Sequence, residues 1–209
     1  MYADRDAAAM YNLFLDNNTH TQKNLSLLTN NQATKENIIR ALNNQFSKAK
    51  KNDIVIFYYS GHGSNRYFTT YYSGQDLYHS EIKAAFKKSK ANIKLCIACA
   101  CFSGNIKQKE TNNTLVSQSQ RPGKTNIIVF MSCRQDEVAY ENSSLEHSIF
   151  TYYLLNAFQG KADLNRDGKI SIKELFEYVH KRVKGYTNGK QNPVMFGQFN
   201  ENAIMLNLK

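Results

Sequence analysis

The stretch Asp53-Ile-Val-Ile-Phe-Tyr-Tyr-Ser-Gly-His-Gly63 decides the fold of this chain. Its opening residues are almost all β-branched or aromatic, which is typical of a strand buried on both faces, as in a parallel sheet. The run ends at Ser60-Gly61-His62-Gly63, where glycine permits a tight turn. The stretch therefore predicts a buried strand followed directly by His62.

Further strands and helices alternate on both sides of this stretch. Ile93 to Ala98 predicts a second buried strand, which leads into Cys99-Ala-Cys101-Phe-Ser-Gly104, and Ile127 to Met131 predicts a third. Ala203 to Leu208 alternates enough to predict an edge strand. The remaining pattern is helical at residues 4–17, after a Thr34 cap, at 79–90, near 145–158 and at 171–184. This alternation predicts an α/β sandwich around a mostly parallel sheet.

Length and composition indicate one globular domain over residues 1–209. The chain is 42% hydrophobic, which suits a sizeable buried core. Residues 105–126 are polar and contain Pro122-Gly123, so we expect an exposed linker there. There is no apolar run long enough to span a membrane and no signal-peptide layout in the first twenty residues. We therefore expect a cytoplasmic protein with no membrane partner.

The net charge of +10 raises the question of a nucleic-acid partner. The lysines cluster at Lys48 to Lys51 and at Lys83 to Lys90, near the ends of predicted helices, where cations meet the negative end of the helix dipole. No basic stripe interleaved with aromatic residues and no nucleic-acid motif accompanies them. A solvated basic face is the favoured interpretation, and no nucleic-acid partner is expected.

Cysteine and histidine meet at the ends of two predicted strands. His62 follows the first buried strand and Cys101 the second, and active sites of open α/β sheets lie beyond such carboxyl ends. An imidazole that takes the thiol proton turns cysteine into a strong nucleophile. The amides of Gly63 and Cys101 are candidates for an oxyanion hole. Each residue alone is more often structural, but together they predict a site.

The cysteine usage admits a second kind of site. Cys96, Cys99 and Cys101 fall close together, which does not resemble a secreted disulfide framework, so reduced thiols are expected. With His62 they are weak candidates for a zinc site. Cys99 and Cys101 point the same way from a strand and Cys96 the other way, which disfavours four-ligand binding.

The motifs resemble those of a known clan of peptidases. Tyr59-Ser60-Gly61-His62-Gly63 resembles the histidine motif of caspases and metacaspases, and Cys101-Phe102-Ser103-Gly104 is similar to the metacaspase cysteine motif. The resemblance extends over nearly the whole chain. It includes Ser132-Cys133-Arg134-Gln135-Asp136-Glu137, Phe150-Thr151, Glu174-Leu175-Phe176 and Gln191-Asn192-Pro193.

The resemblance implies a fold and an activity. The fold is the caspase-hemoglobinase three-layer α/β/α sandwich, and the activity is hydrolysis of peptide or protein substrates through a thioester. Cys101 attacks the scissile carbonyl, and His62 activates it and protonates the leaving amine. Cleavage in the linker often matures such enzymes, and the candidate processing points here are Lys107, Lys109, Arg121 and Lys124.

The chain also departs from the metacaspase pattern. The family's first strand precedes the segment that resembles Tyr2 to Ala7, so we expect it to be missing upstream. Cys99 stands where metacaspases carry a carboxylate that binds a basic P1 side chain. Asp6, Asp136 and Glu137 are candidate replacements in the substrate pocket, and they favour Arg or Lys at P1. The alternative is that they are solvated surface carboxylates.

Residues 163–174 match the twelve-residue EF-hand pattern. Glycine stands at the sixth position, and helical patterns flank the loop. The candidate Ca²⁺ ligands are Asp163, Asn165, Asp167, the carbonyl of Lys169, Ser171 and Glu174. EF-hands usually work in pairs and no second loop is present, so a metal-free acidic turn is the alternative.

The sequence thus predicts a cysteine endopeptidase with calcium as a candidate cofactor. A catalytically silent caspase-like scaffold, kept for protein interaction or calcium sensing, is the alternative function. Its support is the absent first strand and the presence of Cys99 in place of a carboxylate.

Overall fold

The computed structural model describes residues 2–16, 24–100, 126–197 and 199–208, together with the backbone of 115–117. Its helices are α1 (Ala3–Asp16), α2 (Lys35–Lys48), α3 (His79–Lys88), α4 (Ile149–Asn156) and α5 (Ile172–Tyr186). Its strands are β1 (Ile54–Ser60), β2 (Tyr67–Phe68), β3 (Leu77–Tyr78), β4 (Ile93–Cys99), β5 (Leu115–Ser117), β6 (Ile127–Met131), β7 (Glu141–Asn142), β8 (His147–Ser148), β9 (Lys169–Ser171), β10 (Val194–Gly197) and β11 (Ile204–Asn207).

The central sheet has the strand order β1-β4-β6-β10-β5. The strands β1, β4 and β6 are parallel, as expected from their continuous apolar runs, whereas β10 runs antiparallel to β6 and β5 runs parallel to β10. The expected burial of β1 was wrong in degree: β1 lies at the edge of the described sheet, and Val55 is its one fully buried residue. Three small two-stranded sheets pair β2 with β3, β7 with β8, and β9 with β11. The predicted mostly parallel sheet is thereby confirmed.

Apolar side chains cover both faces of the sheet. On one face Leu95, Ile97 and Cys99 of β4 pack into a core shared with α1, α4 and α5. On the other, Cys96 and Ala98 pack into a core shared with α2 and α3. Because strand side chains alternate between faces, one uninterrupted apolar run supplies both cores. The result is the predicted three-layer α/β/α sandwich.

Two elements, one helix and one strand, differ from the sequence-based expectations. The helix expected near 145–158 begins only at Ile149, because residues 141–148 form the hairpin of β7 and β8 and Ser148 caps α4 through its hydroxyl. The final residues, Ala157–Lys161, form a π-helical turn. The predicted edge strand at 203–208 does form as β11, but it pairs with β9 outside the central sheet.

The central sheet also gains strands that local pattern did not predict. β10 is four residues long and ends in Gly197, and it lies between β6 and β5. β5 falls within the linker expected at 105–126, and most of the remainder of that linker lies outside the described residues. Among the described residues, no helix is long and apolar enough to cross a membrane.

Candidate active site

The register of β1 and β4 aligns the two strand ends that precede the predicted dyad. Ser60, the last residue of β1, is opposite Cys99, the last residue of β4. The amide of Gly61 continues the pairing by donating to the carbonyl of Cys99 at 3.0 Å. His62 and Cys101 are each two residues beyond this matched pair. Cys101 itself lies outside the described residues, so the dyad remains a prediction.

The turn that carries His62 is held by Tyr59. The Tyr59 hydroxyl lies 2.6 Å from the carbonyl oxygen of His62 and 2.8 Å from that of Thr69. Burial raises the pKa of Tyr59, so its hydroxyl stays a protonated donor. His62 is exposed, which leaves its ring open to a substrate. The backbone of the predicted base is therefore fixed and its imidazole is accessible.

A side chain would be strained at Gly61 and crowded at Gly63. Gly61 has a φ of +153°, and a Cβ there would lie 2.6 Å from the Tyr59 hydroxyl. A Cβ on Gly63 would lie 3.2 Å from the Phe68 ring and 3.4 Å from the Cβ of Ala100, the residue that follows β4. Gly63 therefore lies close to Ala100, the residue before Cys101, as a shared oxyanion site between Gly63 and Cys101 requires.

Asp6 forms a buried polar centre below the strand ends. Its side chain is only 1% exposed, and one carboxylate oxygen lies 2.8 Å from Nδ1 of His147 and accepts from the amide of Ser148 at 3.3 Å. The other oxygen accepts from the Ser60 hydroxyl at 3.1 Å. Asp6 is therefore no solvated surface carboxylate, since it links α1, β1 and β8.

A second chain of hydrogen bonds runs from Cys99. Its thiol donates to the hydroxyl of Ser148 at 3.1 Å, and that hydroxyl donates to Thr151 Oγ1 at 2.7 Å. The hydroxyls of Thr151 and Tyr58 are 2.6 Å apart. Burial raises the pKa of Cys99 to about 12 and the pKa of Tyr58 well above its usual value. Both groups are neutral, so Cys99 offers no negative charge to a substrate.

The two remaining pocket candidates have different environments. Glu137 is held by its own loop and by a distant segment: its carboxylate accepts from the amide of Arg134 at 3.1 Å and from the backbone and side-chain nitrogens of Asn192, each at 2.6 Å. Asp136 is exposed. The neighbouring side chain of Gln191 also bonds to the segment after β6: it donates to the Ser132 carbonyl and accepts from the amide of Tyr140. Gln191 and Asn192 thus shape the loop after β6, a role that spacing alone does not reveal.

The described cysteines do not converge on a metal. Cys96 packs in the core against α2 and α3, and Cys99 in the core against α1, α4 and α5. Burial raises the pKa of Cys96 to about 12, so this thiol also stays protonated. Over the described part of the chain, no three His, Cys, Asp or Glu side chains are grouped as ligands of one metal ion.

The segment 163–174 turns sharply around Gly168, and its calcium binding stays a prediction. Gly168 adopts a φ of +77° at the sixth position, and Asp163 accepts from the amides of Asp167 and Gly168. Ser171 and Glu174 form a capping box at the start of α5. Although burial opposes it, the hydrogen bonds that Glu174 accepts from Ser171 and the loop backbone lower the pKa of its carboxyl. The Glu174 carboxylate is thus committed to hydrogen bonds of the loop.

Comparisons with known proteins agree with this architecture. A caspase domain family model matches residues 1–203. The chain resembles the crystal structure of protein GSU0716 from Geobacter sulfurreducens with a TM-score of 0.67 at 17% sequence identity. That alignment covers 99% of this chain and 89% of the other, and at this identity it shows the fold alone. No curated protein matches the chain. Since the family model spans nearly the whole sequence, this protein belongs to the caspase domain family of C14-type cysteine peptidases.

Proposed function

We propose that this protein is a cysteine endopeptidase in which Cys101 is the nucleophile and His62 the general base. The observation that carries the proposal is the register of Ser60 with Cys99, because each of these residues precedes one member of the dyad by two positions. Membership of a peptidase family implies peptide or protein substrates. The accessible ring of His62 and the proximity of Gly63 to Ala100 further support a site at this edge.

The reaction follows from the chemistry of these groups. His62 takes the thiol proton, and the Cys101 sulfur adds to the scissile carbonyl while the amides of Gly63 and Cys101 stabilise the oxyanion. As the C–N bond breaks, the imidazolium gives its proton to the leaving amine and a thioester remains. His62 then deprotonates a water molecule, which attacks the thioester and releases the new carboxylate and the thiol.

A basic P1 residue is the preference we propose, with Asp6 as the recognising carboxylate. Asp6 is the buried acid nearest the matched strand ends, and neutral Cys99 does not compete with it for a cation. His147 now contacts one Asp6 oxygen, so an incoming guanidinium or ammonium group would replace that contact. Glu137 is already committed to Asn192, which leaves exposed Asp136 as a secondary contributor.

The test is hydrolysis of fluorogenic peptides with Arg, Lys or Asp at P1. Wild type should cleave the Arg and Lys peptides, and both Cys101→Ala and His62→Ala should lose the activity by a factor of about 10³ or more. Cys96→Ala is the matched control, since its thiol lies in the opposite core and its removal should leave cleavage intact. An inert wild type that is folded by circular dichroism would favour the catalytically silent scaffold.

The P1 assignment has a separate test. His147→Ala should lower KM for Arg peptides because it leaves the Asp6 carboxylate without that contact, whereas Asp6→Asn should abolish the preference for Arg over uncharged citrulline. Retention of the full Arg preference in Asp6→Asn would transfer the role to another acid.

We infer a second function, calcium binding by residues 163–174. The left-handed backbone of Gly168 and the backbone amides that donate to Asp163 support it. The strand β11 also supports it, because β11 pairs with β9 of the loop and so takes the place of the second loop of an EF-hand pair. The oxygens that would hold the ion belong to Asp163, Asn165, Asp167, Lys169, Ser171 and Glu174. Glu174 would have to exchange hydrogen bonds with Ser171 for the ion. When bound, calcium would link the loop to the start of α5.

Calorimetric titration with calcium tests this function independently of peptidase activity. Wild type should bind one ion, and its thermal midpoint should rise with calcium concentration. Asp163→Ala should lose both effects, whereas Glu177→Gln, on the next turn of α5, should keep them. If wild type released no heat on calcium addition, the alternative would hold, in which residues 163–174 are a metal-free acidic turn stabilised by Gly168.

A further inference from the structure

A groove lies beside the EF-hand-like loop, away from the strand ends that carry the predicted dyad. Its volume is about 470 Å³. Lys161, the last residue of the π-helical turn, and Leu164 of the loop line one side, and α5 supplies Glu177, Tyr178, Lys181 and Arg182. All of these residues lie in the described part of the chain, and neither the dyad nor the proposed calcium ligands use them.

The interior of the groove is apolar. Leu164 is 53% exposed, so much of its aliphatic side chain is open to a ligand. Tyr178 is buried to 6% exposure, and the guanidinium of Arg182 lies over its ring at 5.4 Å from the centroid. The long aliphatic stems of the lysine side chains can extend this apolar surface. A ligand with a hydrophobic side chain could therefore bury it against Leu164.

The rim of the groove is basic. Three cations line it, Lys161, Lys181 and Arg182, against the single carboxylate of Glu177. Lys173 lies 3.8 Å from that carboxylate and offsets its charge. Lys181 and Arg182 are both exposed, so their charged ends are available to a ligand. The charge complement of this rim is an anion, and guanidinium and ammonium groups bind carboxylates with charge-assisted hydrogen bonds.

We propose that this groove, lined by Lys161, Leu164, Tyr178, Lys181 and Arg182, is a docking site for an acidic peptide segment with a hydrophobic anchor. The anchor packs on Leu164 between the loop and α5, and flanking Asp or Glu side chains meet the rim cations. The site is distinct from the predicted peptidase centre. A protein that binds here contacts the loop and α5, and this contact does not by itself lead to its cleavage.

Fluorescence anisotropy with a labelled peptide tests the proposal. The probe is Glu-Asp-Glu-Phe-Asp-Glu-Leu-Glu, and the protein carries Cys101→Ala so that binding is separate from cleavage. Lys181→Glu with Arg182→Glu should weaken binding at least about tenfold, because it reverses the rim. Leu164→Asp should weaken it as well, since it removes the anchor contact.

The matched control is Lys83→Glu with Lys87→Glu, which changes the net charge equally on α3, part of the opposite helical layer. It should change the affinity by less than about twofold, the effect of long-range charge alone. Equal losses in both double variants would overturn the proposal, because they would reflect general attraction to a chain of net charge +10. A single-stranded oligonucleotide that binds the groove more tightly than the peptide would also overturn it.

Discussion

The thiol of Cys99 donates a hydrogen bond of 3.1 Å to the hydroxyl of Ser148, across 49 residues of sequence. The same hydroxyl caps α4 by accepting from the amide of Thr151.

Ser148→Ala should therefore destabilise the protein by about 1–2 kcal/mol, the usual cost of losing an N-cap, with the thiol left without its acceptor. Urea unfolding measures the change. Ser144→Ala, at an exposed site in the nearby turn, should stay within about 0.5 kcal/mol of wild type, and an equal loss there would contradict this role of Ser148.

The introduction of a carboxylate at position 99 tests how strictly the site requires a neutral group there. Cys99→Asp would bury a second carboxylate near Asp6, and we expect a loss of about 3 kcal/mol at neutral pH. Burial raises the folded-state pKa of the introduced carboxyl above its unfolded value. The penalty is therefore small below about pH 4 and grows as the pH rises.

Unfolding free energies of Cys99→Asp at several pH values measure this dependence. Cys99→Ser is the control, because its hydroxyl is neutral and can still donate to Ser148. A pH-independent penalty in Cys99→Asp would show that volume, and not charge, limits this position.

The Gly61 turn links backbone geometry to the proposed catalysis. Gly61→Ala would place a Cβ against the Tyr59 hydroxyl and displace the contact that holds the His62 carbonyl. We expect kcat/KM to fall by about tenfold or more, because small displacements of a catalytic group are costly. The stability cost should be about 1–3 kcal/mol.

Gly74→Ala separates backbone strain from displacement of His62. Gly74 also has a positive φ, +81°, but a Cβ there meets no atom within 4 Å. This variant should lose stability while keeping full peptidase activity. Equal activity losses in the two variants would refute the role given to Tyr59 and His62.

Glu174 should contribute stability that depends on pH. Hydrogen bonds from Ser171 and the loop backbone lower the pKa of its carboxyl below the ordinary 4.5 against the effect of burial. A depressed folded-state pKa gives stability that is present above the unfolded pKa and is lost as the pH falls through the folded one. Wild type should thus exceed Glu174→Gln by about 1 kcal/mol at neutral pH, and the difference should shrink below about pH 4.5.

Calcium-free buffer keeps this measurement independent of metal binding. Chemical unfolding between acid and neutral pH provides the two curves. Glu177→Gln, on the exposed side of α5, should follow wild type at every pH. A constant gap between wild type and Glu174→Gln would mean that packing, and not charge, accounts for the effect.

Local sequence signals were sufficient for most of the framework. The apolar runs of β1, β4 and β6 predicted a parallel sheet because a strand covered on both faces needs apolar side chains at every position. Periodicity and the Thr34 cap located α2, and the helical pattern at 79–90 located α3. Gly168 correctly indicated a sharp turn within 163–174, whereas calcium binding there stays a prediction. The same signals failed at β10, a short strand whose place depends on its partners.

The sequence by itself determined the layered architecture, the family resemblance and the positions of His62 and Cys101 at strand ends, since each rests on residues adjacent in the chain. Only the tertiary structure decided the pairing of Ser60 with Cys99 and the burial of Asp6 against His147, which is 141 residues away. It also decided that Glu137 binds Asn192. Contacts between distant segments depend on how the layers pack. The residues next to a carboxylate in the sequence therefore do not show whether it forms structural hydrogen bonds, as Glu137 does, or faces a substrate pocket.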